Sequence, residues 1–205
     1  MEREILLLGD PRLYEVSEEV TRDELEGLRP VFTDMFDCIK GIRRDYGFGR
    51  AIAAPQIGVN KRLICILTDR PYVIINPELE FVGDEMMELM DDCMSFPNLL
   101  VRVRRHRHCI LRFLDENWTP REMQMDDDMA ELIQHEYDHL DGILATMRAI
   151  DNKSFVMKRS SAPVTWRARI WEDSADEIKK RSDCRERHRK VKEILPRPVR
   201  PGCDP

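Results

Sequence analysis

Residues 126–142 read Asp126-Asp127-Asp128-Met129-Ala130-Glu131-Leu132-Ile133-Gln134-His135-Glu136-Tyr137-Asp138-His139-Leu140-Asp141-Gly142. Met129, Leu132, Ile133, Glu136 and Leu140 recur at spacings of three and four, the period of a helix. The three aspartates suit its N-terminus, where carboxylates meet unpaired N–H groups and the positive end of the dipole. Gly142 supplies a stop. On such a helix His135 and His139, four residues apart, project from one face and can grip one metal ion. Glu136, one residue after the first histidine, sits where a carboxylate reaches a water activated by the ion. The competing reading is two surface histidines on an acidic helix. Random placement of five histidines in 205 residues seldom produces H-E-x-x-H, so the metal reading is preferred.

Two histidines do not complete a catalytic site, which usually has three protein ligands and one open position. A carboxylate, a histidine or a cysteine can be the third. His188 lies far into the basic C-terminal part. His106 and His108 flank a strand and are expected to pair with acids or face solvent. Six cysteines remain, at 38, 65, 93, 109, 184 and 203, with no CxxC and no regular spacing. The default for each is a small buried hydrophobe. Cys93 has unusual company in Asp91-Asp92-Cys93-Met94-Ser95-Phe96-Pro97.

Outward from this helix, residues 23–40 carry Leu25, Leu28, Phe32, Met35, Phe36 and Ile39 at helical spacing, with Pro30 awkward in an early turn and Gly41 as a stop. Residues 42–60 read as irregular. Strands are expected over 62–67 and over 72–75, the second closed by Asn76-Pro77. Two more are expected over 99–105 and over 108–114, the latter ended by Asp115-Glu116-Asn117. Short strands with a long helix at each end of the core predict an α+β domain. Residues 171–195 form a further charged helix candidate. Prolines 196, 198, 201 and 205 make 196–205 a disordered tail by composition. The catalytic domain is thus expected to span 1–170.

The chain has one domain's worth of residues. It is 42% hydrophobic, 35% charged and 7% aromatic, which excludes collagen-like and low-complexity classes. No apolar run approaches the ~18 residues of a membrane span. The N-terminal apolar run is too short for a secretory signal. A cytoplasmic location and no disulfide framework are therefore expected. Residues 151–205 hold 15 basic and 9 acidic side chains, a net of +6, whereas residues 1–150 carry −12. Basic and acidic residues interleave and few aromatics are available to stack, so a specific nucleic-acid partner is not expected.

Here the chain resembles a known family. Asp91-Asp92-Cys93-Met94-Ser95 resembles the E-G-C-L-S pattern of peptide deformylases. Gly49-Arg50-Ala51-Ile52-Ala53-Ala54-Pro55-Gln56 resembles their G-x-G-L-A-A-x-Q. Gln134 to His139 matches Q-H-E-x-D-H at every specified position. Gly9-Asp10-Pro11-x-Leu13 resembles the N-terminal signature. The order is kept across residues 5–155. The resemblance implies small antiparallel sheets around a central helix that carries H-E-x-x-H, with an additional C-terminal helix. It implies Cys93, His135 and His139 as ligands of one divalent metal, Fe(II) first, with Ni(II) or Zn(II) also suited to this donor set. Glu136 would move protons, and the Gln56 amide and Met94 backbone N–H would donate to the oxyanion. The backbone of Gly49, Ala51 and Asp92 would pair with an extended peptide. The activity implied is hydrolysis of the N-formyl group of N-formylmethionyl peptides or nascent chains, with ribosome docking through the C-terminal helix.

The sequence departs from the pattern at Arg50, usually apolar, at Ala51 and Asp92, usually glycine, and at Asp91, usually glutamate. Ala51 matters if that residue needs a positive φ. Asp91 keeps the charge with one fewer methylene, so any ion pair to Arg105 is expected to shift geometry. Asp92 puts a carboxylate beside a ligand and is expected to raise ligand basicity. These changes bear on substrate choice. A hydrolase of another formyl amide, or a catalytically degenerate relative, stands as the alternative.

Overall fold

The computed structural model describes residues 3–158. The helix expected over 171–195, the tail over 196–205 and the last residues of the 1–170 domain lie outside them.

Helix α1 runs Leu25–Tyr46, preceded by a single 3-10 turn at Arg22–Glu24. It passes through Gly41, the expected stop, and ends at Gly47 with φ 76°. Gly41 is buried, and partly buried Ile42 extends the apolar face by another turn, so packing outweighs the glycine's low helix propensity. Leu25, Val31, Phe32, Met35, Cys38 and Ile39 bury one face. Each large side chain removed from water contributes about 1.5–3 kcal/mol.

Strands β1 (Ala51–Ala53), β2 (Leu63–Leu67), β3 (Pro71–Phe81), β6 (His108–Leu114) and β7 (Pro120–Asp126) form a five-stranded antiparallel sheet in the order β1-β2-β3-β6-β7. Strands β4 (Met86–Asp92), β5 (Leu99–His106) and β8 (Phe155–Met157) form a three-stranded antiparallel sheet, β4-β5-β8. Asn76-Pro77 does not close its strand. The pairing of β3 with β6 shifts register between Ile75 and Glu78, and Asn76 takes φ 47°, so a bulge absorbs the proline and the strand continues. The segment read as irregular over 42–60 holds the end of α1, β1 and a 3-10 turn at Ala54–Ile57.

Helix α2 (Asp127–Leu140) lies between the sheets and touches β1, β5 and β7. Ten of its residues are buried, His135, Glu136 and His139 among them. Its N-terminus is acidic as expected, but no aspartate side chain caps it. Asp126 turns to His108 Nδ1 at 2.7 Å, and Asp127 turns to Arg107. Gly142 follows the helix with φ 70°, and a Cβ there would stand 2.5 Å from the Tyr14 carbonyl oxygen, so only glycine fits. Among the described residues no helix is long and apolar enough to cross a membrane.

Candidate metal centre

Three segments converge where the sheets meet. Cys93 directly follows β4, on a turn closed by the Phe96 N–H donating to the Cys93 carbonyl at 3.1 Å. His135 and His139 come from α2, one turn apart, with ring centroids 5.0 Å apart. Gln56 ends the path from β1 through the 3-10 turn. The Sγ of Cys93 and one ring nitrogen from each histidine lie within 4.8 Å of one another, all buried. Cys93 Sγ is 3.2 Å from His139 Nε2.

These separations fit a shared ion. Metal–sulfur and metal–nitrogen bonds of about 2.3 and 2.1 Å at tetrahedral angles place their donors roughly 3.5 Å apart. Glu136 Oε2 is buried without a hydrogen-bond partner among the described residues. Burying such an atom is costly unless another group serves it. One thiolate and two imidazoles form a donor set suited to Fe(II), Ni(II) or Zn(II).

A charged framework fixes the candidate ligands. Asp91, at the end of β4, places Oδ1 2.9 Å from His135 Nδ1. Its other oxygen accepts from Arg105 Nη2 at 2.8 Å. Arg105 also donates to Asp138 at 2.9 Å, and Asp138 accepts from Arg148 at 2.8 Å. Burial alone would raise the Asp91 carboxyl, but His135 and Arg105 hold it far below the usual carboxylate range. Burial likewise opposes charge on His135, yet Asp91 and Cys93 outweigh it and raise that ring well above its ordinary value. Burial, with His135 alongside, drives His139 well below. Ligation needs neutral imidazole, so an ion competes with the proton at His135, while Asp91 orients the ring.

Glu136 is pushed up to about 7, first by burial, with Asp91 and Glu131 adding to it against His135 and Arg50. Gln56 is locked at both ends of its amide. Its Oε1 accepts from the Ala53 N–H at 2.9 Å, and its Nε2 reaches Ser95 Oγ at 3.2 Å and Cys93 Sγ at 3.4 Å. Met94 is buried in the α1 core, and a Cβ on Gly49, where φ is 117°, would meet its Cε at 2.9 Å. Gly49 and Ala51 thus sit where β1 begins, at the edge of the five-stranded sheet.

The departures from the sequence pattern resolve individually. Neither Ala51 nor Asp92 has a positive φ, so neither position demands glycine on that ground. The expected ion pair of Asp91 with Arg105 forms. Asp92 does not aim at the ligands, contrary to the expectation that it raises ligand basicity. Its carboxylate accepts from Lys158 Nζ at 3.1 Å, and Lys158 also lies 3.6 Å above the Phe48 ring. Arg50 pairs with Glu131 at 2.9 Å. His108 pairs with Asp126, and His106 stacks on Phe81 at 4.0 Å, so neither is a ligand.

Sequence reasoning missed several residues that shape the centre. Ser95, Arg148, Glu131 and Lys158 were not anticipated. Gln134, quoted as part of a motif but given no role, clips α2 to β5 by exchanging hydrogen bonds with the His106 backbone at 2.9 and 2.7 Å. The available signal was the position of Glu131 four residues before His135, which puts the two on one face of α2.

The geometry can be set beside known proteins. A family model described as polypeptide deformylase matches residues 2–155. A peptide deformylase of Treponema pallidum (strain Nichols) is 36% identical over 151 residues, 73% of this chain and 89% of that relative. The crystal structure of a peptide deformylase from Synechococcus elongatus in complex with actinonin superposes with a TM-score of 0.67 at 31% identity, over 73% of this chain and 80% of that one. The Thermotoga maritima enzyme gives 0.68 at 26% identity, over 74% and 99%. The antiparallel sheets around an H-E-x-x-H helix are those expected from the sequence. A family match across three-quarters of the chain, with fold and motif order agreeing, means that this chain belongs to the polypeptide deformylase family.

Proposed function

We propose that Cys93, His135 and His139 hold a divalent ion, Fe(II) before Ni(II) or Zn(II), and that this chain uses it to deformylate. The reaction is the family's: hydrolysis of the N-formyl group of N-formylmethionyl peptides and nascent chains, with release of formate. The observation that carries the assignment of roles is the burial of an unpartnered Glu136 oxygen beside a cysteine and two histidines in ligand range.

The ion, when bound, supplies Lewis acidity and lowers the pKa of water. Glu136, raised to about 7, suits both halves of a proton transfer. It accepts a proton from the attacking water and returns one to the leaving amine. The formyl oxygen becomes an oxyanion, and the Gln56 amide and Met94 N–H donate to it. The Ala53 N–H holds Gln56 Oε1 and so orients the amide, whose Nε2 hydrogens exchange Ser95 or Cys93 for the oxyanion. The backbone of Gly49, Ala51 and Asp92 pairs with the extended peptide as an added strand beside β1, whose outer edge the five-stranded sheet leaves open.

The test is formate release from formyl-Met-Ala-Ser by protein purified anaerobically with Fe(II). Glu136→Ala is expected to retain the ion and lose at least ~100-fold in kcat. Parental turnover by that variant rejects the role of Glu136.

We place the enzyme in the cytoplasm and the catalytic domain at residues 1–170. Residues 171–195, charged and net basic, are proposed to dock it on the ribosome. Removing 172–205 should abolish co-sedimentation with ribosomes and leave tripeptide hydrolysis unchanged. Unaltered co-sedimentation rejects docking.

A further inference from the structure

Helix α1 ends beside β1, the edge strand of the five-stranded sheet. In its last turn Arg43 is half-buried and reaches across the end of the β1–β2 ladder. Its Nε donates to the Gly49 carbonyl at 2.6 Å, and its Nη2 donates to the Leu67 carbonyl. Gly49 leads into β1, and Leu67 ends β2. Among the described residues no carboxylate pairs with this guanidinium, and burial alone acts on its charge, lowering its pKa.

An arginine without an acid is a poor choice as a simple brace. Taking a cation out of water costs free energy, which two neutral carbonyls offset only through well-aligned hydrogen bonds. An apolar side chain would fill the same space without that cost. The larger effect of the guanidinium falls on the chain it holds. Gly49 has φ 117°, and glycine there permits several chain directions without selecting one. Two donors in one rigid plane select the direction that keeps the Gly49 carbonyl level with the end of β2. The Leu67 N–H donates to the Arg50 carbonyl at 2.7 Å, so the Arg50 backbone turns into the ladder. By strand alternation Ala51 turns its N–H and C=O to the open side. Further along, the Ala53 N–H is already taken by Gln56 Oε1 at 2.9 Å. The open edge therefore offers the backbone of Ala51, held between the Arg43 clamp on Gly49 and the Gln56 clamp on Ala53.

We propose that Arg43 is a positioning residue for the substrate backbone: by holding the Gly49 and Leu67 carbonyls it sets Ala51 at the angle at which its N–H and C=O pair with the peptide. This rests on the proposed pairing of the peptide with this edge. Arg43 hydrogen-bonds to none of Cys93, His135, His139, Glu136 and Gln56. Its loss therefore weakens capture of the peptide and leaves the reaction of captured peptide in place, the pattern of a raised KM at constant kcat.

The experiment measures kcat and KM for formyl-Met-Ala-Ser, using the full chain loaded anaerobically with Fe(II), in the parent, Arg43→Met and Arg43→Lys. Methionine keeps an apolar stem and removes the donors, whereas lysine keeps a charged donor that can serve one carbonyl. Arg43→Met is expected to raise KM at least fivefold and to change kcat less than threefold, with Arg43→Lys lying between it and the parent in KM. A smaller rise in KM, a larger change in kcat, or a lysine variant no better than methionine overturns the inference. If Arg43→Met shows no cooperative unfolding transition, Arg43→Lys decides alone, by a rise in KM of at least twofold at a kcat changed less than threefold. Formate release with an unmoved KM sinks only this inference, whereas no formate from the parent sinks the proposed function together with it.

Discussion

Cys65 and Cys93 are both almost fully buried, yet their surroundings separate them. Cys65 sits in the α1 core, 3.8 Å from the Met35 sulfur, where burial first, and then Glu116 and Glu136, push its thiol far up. Burial, followed by Asp126, likewise pushes Cys109 up to about 12. These thiols keep their protons and act as small hydrophobes. Cys93 instead touches His139, the Gln56 amide and the Ser95 N–H. Cys93→Ser should therefore lower bound metal per chain at least tenfold, while Cys38→Ser, Cys65→Ser and Cys109→Ser keep the parental content by elemental analysis. Equal content in the Cys93 variant would reject its role as ligand. At this scale the ligand candidates were legible, because H-E-x-x-H is local and the neighbours of Cys93 form a recognisable pattern. The destinations of Asp92 and Arg50 were not, because their partners lie 66 and 81 residues away.

Among elements, α2 and α1 announced themselves by apolar spacing, β2 and the start of β3 by short apolar runs with β-branched residues, β5 by weak alternation and β6 by a run ended at a polar turn. Strand β4 did not. Met86-Met87-Glu88-Leu89-Met90-Asp91-Asp92 has no β-branched residue and three acids, and it is a strand because β5 pairs with it along its whole length. Strand β7 opens on Pro120 and is mostly polar, and β6 extends it by the same means. Tertiary pairing here outweighs local preference. What joins β4, β5 and α2 is Arg105, 4% exposed, between Asp91 and Asp138. Arg105→Leu would leave two buried carboxylates without their shared cation. It should cost about 3–5 kcal/mol in urea unfolding. A loss below ~1 kcal/mol would show that Arg148 and His135 suffice.

Across the whole molecule, the proposed ligands come from opposite sides of a junction. Cys93 extends the three-stranded sheet, and the histidines ride on the helix that packs against the five-stranded one. An ion bound there ties the two layers and stabilises only the folded state. At a hundredfold excess over Kd that is worth about 2.7 kcal/mol, or about 5–10 °C in Tm for a chain of this size. Chelation should lower Tm by that amount, restored by Fe(II) under anaerobic conditions, and Cys93→Ser should show no such response. An unchanged Tm would mean that the layers hold together without the ion. The contact of Lys158 with Asp92 and Phe48 has a different kind of consequence. It ties the end of β8 to the residue just before Cys93, so residue 158 stands beside the turn that carries the thiol. Cargo fused after residue 158 would therefore start beside that turn, and its size and charge would become part of the surroundings of the candidate metal centre.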